Sequence, residues 1–155
     1  MLKDSLVQEV DLFLLKPLVI SKRQAIIMYH LTEALADQKA GKDARKNLME
    51  GLVHGDIQAW LGVTGEEGSR RPIGMIFTTI TMDPWLGIRR LLIYGLHMKE
   101  QLATVAIEKC LQSLNDYGKN RGCNIMEAHT RVRGISRILE RNGWQKGQTV
   151  LTKEL

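Results

Sequence analysis

Two histidines and a row of arginines are the residues of this chain best suited to chemistry. His129 follows Asn124-Ile125-Met126-Glu127-Ala128, a stretch that reads as a strand, and so lies at that strand's C-terminal end. In mixed α/β sheets this edge is where ligands tend to bind. An imidazole there could trade a proton near neutral pH, and a capping or packing role is the alternative. His97 closes another apolar run; it is either a base facing a cleft or a histidine at the surface or core edge. Arg133, Arg137 and Arg141 recur every four residues and so share one side of a helix, with Arg131 near its start. Guanidiniums in such a row could grip phosphates of a nucleic acid or nucleotide, and a solvated helix face has the same spacing. No aromatic residue interleaves them, so stacking on single-stranded bases is not indicated. No zinc-like spacing of Cys and His occurs, and no metal is expected. Cys110 and Cys123 form no disulfide framework and read as reduced, packed thiols.

The bulk of the chain narrows the setting. Its 155 residues suit a single domain, and 44% apolar residues suit an ordinary globular protein. A net charge of +5 permits nucleic acid, phosphate-bearing cofactors or acidic proteins as partners and selects none of them. No apolar run nears the roughly 20 residues a membrane helix needs. The run Val10 to Leu15 is short, ends at Lys16-Pro17 and has Asp4, Glu9 and Asp11 around it, unlike a signal peptide. A cytoplasmic protein that does not enter a membrane is expected.

The elements that position these residues follow from periodicity and punctuation. Residues 1–20 read as an N-terminal strand or arm, with Leu18-Val19-Ile20 extended after Pro17. Ser21-Lys22-Arg23-Gln24 has the form of a capping box. Two helices then fill residues 21–55, from Lys22 to about Gln38 and from Lys42 to about Val53, with Ile27, Leu31, Ala34, Leu35, Ala44, Leu48 and Leu52 turned inward. Residues 57–98 read as a three-stranded antiparallel meander with strands at 57–63, 73–81 and 90–94. Residues 99–155 read as helix, strand, helix, strand. The first of these helices, Lys99 to about Lys119, packs Leu102, Val105, Ala106, Leu114 and Tyr117. A second, capped by Thr130, packs Val132, Ile135 and Leu139, and a strand returns through Thr149, Val150 and Leu151. The fold class is α+β (mixed α/β): a central mixed sheet, meander first and β-α-β-α-β after it, with helices on both faces.

Two segments carry a family resemblance. Gly122-Cys123-Asn124-Ile125-Met126-Glu127 looks like the small turn into the fifth strand of the GNAT superfamily of N-acetyltransferases. Arg137-Ile138-Leu139-Glu140-Arg141-Asn142-Gly143-Trp144 resembles that superfamily's Leu-Tyr-Glu-Lys-x-Gly-Phe ending, and the order of elements is similar over nearly the whole chain. Within the superfamily, the likeness is greatest to acetyltransferase-like proteins encoded among virion genes of tailed phages. The resemblance implies a bulge at Gly95 that splays two parallel strands apart, with Tyr94, Gly95, Leu96 and Lys99 beside acetyl-CoA and His97 as a base. It also exposes departures. Active members follow the fourth strand with Gln or Arg, two residues, Gly, one residue, then Gly or Ala. The stretch Leu96 to Ala103 lacks those glycines and places Glu100 near the anion site. Leu139 stands where a proton-donating tyrosine is usual, and Val132 where an asparagine is frequent. The reading these departures favour is a GNAT-fold component that has lost acetyl-CoA catalysis and needs no cofactor. It would bind or assemble through Trp60, Trp85, the basic helix and the N-terminal segment. Its partners would be phage structural proteins or a second copy, and its place the host cytoplasm or a virion. The alternative is an acyl-CoA-dependent N-acetyltransferase with an atypical cofactor loop, and the third reading is a nucleic-acid-binding module.

Overall fold

Short, glycine-bearing turns force the consecutive central strands they join to run antiparallel, and a long helical crossover lets the last strand run parallel to its neighbour. The computed structural model describes residues 6–34, 43–129, 133–147, 151 and 153–155. Its elements are β1 (Asp11–Leu14), α1 (Pro17–Lys22), α2 (Gln24–Ala34), α3 (Ala44–His54), β2 (Ile57–Thr64), β3 (Arg71–Asp83), β4 (Ile88–Met98), α4 (Thr104–Asn120), β5 (Ile125–Ala128) and α5 (Arg133–Arg141). The strands form one sheet in the order β1-β2-β3-β4-β5. Each of the first four is antiparallel to its neighbours among them, and β5 lies parallel to β4. At the β3–β4 turn the Asp83 carboxylate accepts the backbone N–H groups of Trp85 and Leu86 at 2.9 and 3.0 Å, and Gly87 supplies the positive φ of 66° that closes it. Gly122, at φ 74°, turns the chain from α4 into β5, where the Cys123 N–H reaches the Gly118 carbonyl.

Alternation along the strands divides the interior in two. On one face Val10, Trp60, Ile73, Ile76 and Leu91 pack with Ala106, Cys110 and Leu114 of α4. On the other, Ala59, Met75 and Phe77 pack with Ile20, Ile27, Leu31 and Leu52 of the first three helices. Successive residues Met75, Ile76 and Phe77 fall in different clusters, as period-two alternation requires. Trp60 is an interior residue and no surface contact, correcting the sequence expectation. Its indole N–H donates to Thr78 Oγ1 at 2.9 Å, and its ring meets Tyr117 edge-on at 4.9 Å.

Several boundaries also move. Leu18-Val19-Ile20 is helical rather than extended, because Pro17 takes the first helical position, where its missing N–H costs nothing. Ser21 therefore lies inside α1 and caps no helix; the break falls at Arg23, and α2 starts at Gln24. β4 runs on to Met98 and delays α4 to Thr104, which leaves Val105 67% exposed instead of packed. The expected cap Thr130, with Arg131 and Val132, falls outside the described residues, as do Leu35 and strand residues Thr149 and Val150; Leu151 lies in no strand. α5 does end as expected: Gly143 takes φ 86° and the Trp144 N–H returns to the Leu139 carbonyl at 3.1 Å.

Cys110 and Cys123 are both free, the first buried and the second half-buried. Burial pushes the Cys110 thiol up to about 11, so it stays protonated near neutral pH. Iodoacetamide should modify Cys123 first and reach Cys110 only on unfolding. Mass mapping of a time course with and without urea checks this; equal rates in native buffer would contradict it.

Candidate functional site

The ladder between β4 and β5 is short. It joins Arg90 to Ile125, Leu91 to Met126, Leu92 to Glu127 and Ile93 to Ala128, and goes no further. Across β3, Phe77 faces Gly95 while Thr78 faces Ile93, so Tyr94 is the extra residue of a bulge. A bulge bends its strand and increases its twist. Beyond it β4 continues through Met98, paired to β3 on one edge and to no described strand on the other. Gly95 is buried just past the end of the β4–β5 ladder, and Leu96 is 40% exposed beside it. A bulge is thus present next to Gly95, one residue before it at Tyr94, and the described β4–β5 ladder ends just ahead of it.

His97 faces the side of the sheet covered by α2, because its cross-strand neighbour Met75 belongs to that cluster. Its Nδ1 lies 2.8 Å from Nδ1 of His30, and the edge of Tyr29 stands against both rings at centroid distances of 5.3 and 5.7 Å. His30 is 2% exposed. Burial, then the neighbouring His97 and Lys99 charges, hold its pKa below the ordinary imidazole value. Two imidazole nitrogens at this distance share one proton, one as donor and the other as acceptor.

That shift has a consequence for stability. Because the folded pKa is lowered, the unfolded chain binds the His30 proton more readily. The contribution is complete above about pH 6.5 and declines as pH falls from there toward the folded value. The melting temperature should therefore drop between about pH 7 and pH 5, and drop less in His30→Leu. Parallel melts of the two proteins test this; identical slopes would refute it.

The junction between β4 and α4 lies further along than the Leu96–Ala103 stretch taken from the sequence. With the helix starting at Thr104, the residues spanning its start are Gln101-Leu102-Ala103-Thr104-Val105-Ala106. They fit the Gln-x-x-Gly-x-Ala form of the cofactor pattern at Gln101 and Ala106 and depart from it at Thr104. Ala103 is the N-cap and offers no side-chain bond, so no side chain caps the first helical amides. The loop itself is braced. Lys99 N–H donates to the Ile73 carbonyl at 2.7 Å, and Val7 exchanges bonds with Gln101 and Ala103 at 3.0 Å. Glu100 forms a forked ion pair with Arg71, with Nη2 to Oε2 at 2.9 Å. The hydrogen bond from that guanidinium holds the Glu100 carboxyl below its usual range. The Glu100 carboxylate therefore carries its own counter-charge.

The remaining candidates are dispersed. His129 is exposed at the end of β5, with Nε2 3.2 Å from a Glu127 carboxylate oxygen, and no described contact joins it to His97. Arg137 and Arg141 are exposed on α5, Arg133 opens that helix, and Arg131 lies outside the described residues. Leu139 is a core residue at 8% exposure. Among the described residues no three ligating side chains converge for a metal, and no helix is long and apolar enough to cross a membrane. Sequence reasoning missed His30, Tyr29 and Arg71. For His30 a signal existed: it lies three residues after Ile27 and next to Leu31, on the apolar stripe of α2.

No family model and no curated protein matches the chain. Solved structures do. A predicted acetyltransferase with acetyl-CoA from Clostridium acetobutylicum superimposes with a TM-score of 0.66 at 15% identity, covering 94% of this chain and 96% of that one. A ribosomal-protein-alanine N-acetyltransferase from Brucella melitensis gives 0.64 at 15% identity, covering 94% and 99%. The aminoglycoside acetyltransferase AAC(6')-Iy in complex with a bisubstrate analogue gives 0.64 at 15% identity, covering 95% and 98%. With its bulged fourth strand, parallel fifth strand and layered helices, the chain has the fold of the GNAT acetyltransferases.

Proposed function

We propose that the opening between β4 and β5 receives the pantetheine arm of an acyl-CoA and that the protein passes the acyl group to an amine. The observation that carries this reading is the edge of β4 from Gly95 to Met98, which no described strand pairs. An extended ligand with two amides could add to such an edge as a strand does. Gln101 and the backbone amides of Thr104, Val105 and Ala106 would hold the pyrophosphate, since a helix start with free N–H groups favours an anion. Arg71 supports this by neutralising Glu100. The thioester supplies an activated carbonyl. Attack by the amine nitrogen forms the amide and breaks the carbon–sulfur bond. The amine's proton passes to His97 or water, and the departing thiolate is protonated in turn. Calorimetry with acetyl-CoA tests the reading: saturable heat at micromolar concentration is expected, weakened about tenfold in Thr104→Asp by charge at the helix start. Silence up to millimolar cofactor would remove it.

A second reading keeps the fold without the reaction, as an assembly or binding component of the kind that likeness to phage virion proteins implies. Trp85, 92% exposed, and Leu86, 61% exposed, at the tip of the β3–β4 turn favour it, as does threonine where the cofactor pattern has glycine. An apolar tip of this kind suits a protein partner. Silent calorimetry would make this the leading account.

A further inference from the structure

The contact between His30 and His97 allows two proton arrangements with different consequences. If His30 donates its Nδ1–H, then His97 carries its own proton on Nε2, and the free lone pair of the pair belongs to Nε2 of His30. That ring is 2% exposed and cannot serve a ligand in the opening. If His97 donates its Nδ1–H, its Nε2 keeps a lone pair, and His97 is the half-buried member, on the β4 stretch that borders the opening. Taking up a second proton sharpens the choice. A charged His97 has N–H groups on both nitrogens, so the nitrogen 2.8 Å away must be an acceptor. The surroundings keep His30 neutral and so able to accept. The titratable and charged groups facing the pair are Tyr29 from α2 and Lys99 from the loop after β4. The lysine's positive charge disfavours a proton on His30.

We propose that His30 is the positioning residue for His97: its Nδ1 accepts the His97 Nδ1–H, fixing that ring's tautomer and leaving His97 Nε2 free to take a proton from an incoming amine. This deepens the acyl-transfer reading and rests on it for the use made of the proton, but the tautomer itself does not depend on acetyl-CoA. In the balanced step, the nitrogen that joins the acyl carbon loses one proton to His97 Nε2. His97 becomes an imidazolium bonded to neutral His30, and it returns the proton to solvent or to the departing thiolate.

Long-range nitrogen–proton NMR on the full chain near neutral pH reads the tautomer directly. The expected result is a protonated Nδ1 and a bare Nε2 on His97. In His30→Leu, His97 should revert to the Nε2–H form that a free imidazole favours. His30→Asn, which offers a carboxamide oxygen where the ring nitrogen was, should restore the first pattern. A wild-type His97 protonated on Nε2, or a tautomer indifferent to His30→Leu, overturns the proposal, and the wild-type spectrum decides even if the leucine variant fails to fold. With spermidine as the probe amine and acetyl-CoA as donor, kcat should fall at least about tenfold in His30→Leu, with little change in KM and recovery in His30→Asn. Equal turnover in His30→Leu would sink the positioning role while leaving acyl transfer standing. Absent acetyl-CoA binding in every form would sink acyl transfer, and the NMR result would still decide the His30–His97 pairing.

Discussion

Gly74→Ala should destabilise the protein by about 1–3 kcal/mol, the range for forcing extra atoms into a packed interior, and toward its upper end. A Cβ at this position would lie 2.8 Å from the Met98 Cα and would also strike the Met98 sulfur and the His97 carbonyl oxygen. Two of those three atoms are backbone, so no rotamer change relieves the clash. Gly74 sits opposite Met98 in the β3–β4 ladder, and on its other side faces Gly62 of β2. Three strands come close there because glycines face one another, and added volume must push the end of β4 outward. For a chain of this length each kcal/mol lowers the melting temperature by about 2–4 °C. A urea or thermal melt measures the loss; an unchanged midpoint would show that β4 yields freely at its end. The same displacement moves His97, so its contact with His30 should loosen along with the fold.

Phe77→Ala is expected to cost more, about 3–5 kcal/mol. Phe77 is fully buried, packs with Ile27, Leu31 and Leu52 beneath the first helices, and faces Gly95 across the ladder where β4 buckles. Truncation leaves a cavity between the sheet and the first helices, among neighbours such as Ile27, Leu31 and Leu52 that can close it only in part. Against a total stability of about 5–15 kcal/mol this removes a large share. Denaturant titration of Phe77→Ala beside Phe77→Leu gives the measure: the leucine variant should keep most of the stability. A loss under about 1 kcal/mol in the alanine variant would mean that the helices repack over the sheet.

What could be read from the sequence was whatever depends on short-range pattern. Alternation located β2 and β3, the 3.6-residue stripe located α4, and Gly122 and Gly143 marked the ends they terminate. Long-range pairing was out of reach. Nothing in Leu96-His97-Met98 shows that β3 extends to Arg71 and holds this stretch in the ladder, so the helix was expected five residues early. That single boundary moves the helix start to Thr104 and leaves Val105, expected in the core, 67% exposed. Pro17 was read as a stop, although at the first position of a helix it acts as a start. His30 escaped notice because a polar residue on an apolar stripe announces itself only when its partner is known, and His97 lies 67 residues away. Glu100 appeared hostile to phosphate for the same reason: its guanidinium partner enters from β3.

The order of strands also bears on how the chain reaches its native state. β2, β3 and β4 are consecutive in sequence and adjacent in space, so two turns suffice to close them. β1 and β5 reach their places only after long intervening segments have been ordered, at a greater entropic cost. The central hairpins are therefore the natural nucleus, and the parallel edge is a late arrival. The opening proposed for acyl-CoA is bounded by β5, one of the two strands whose docking closes the longer loops. Its assembly is expected to follow that of the central hairpins.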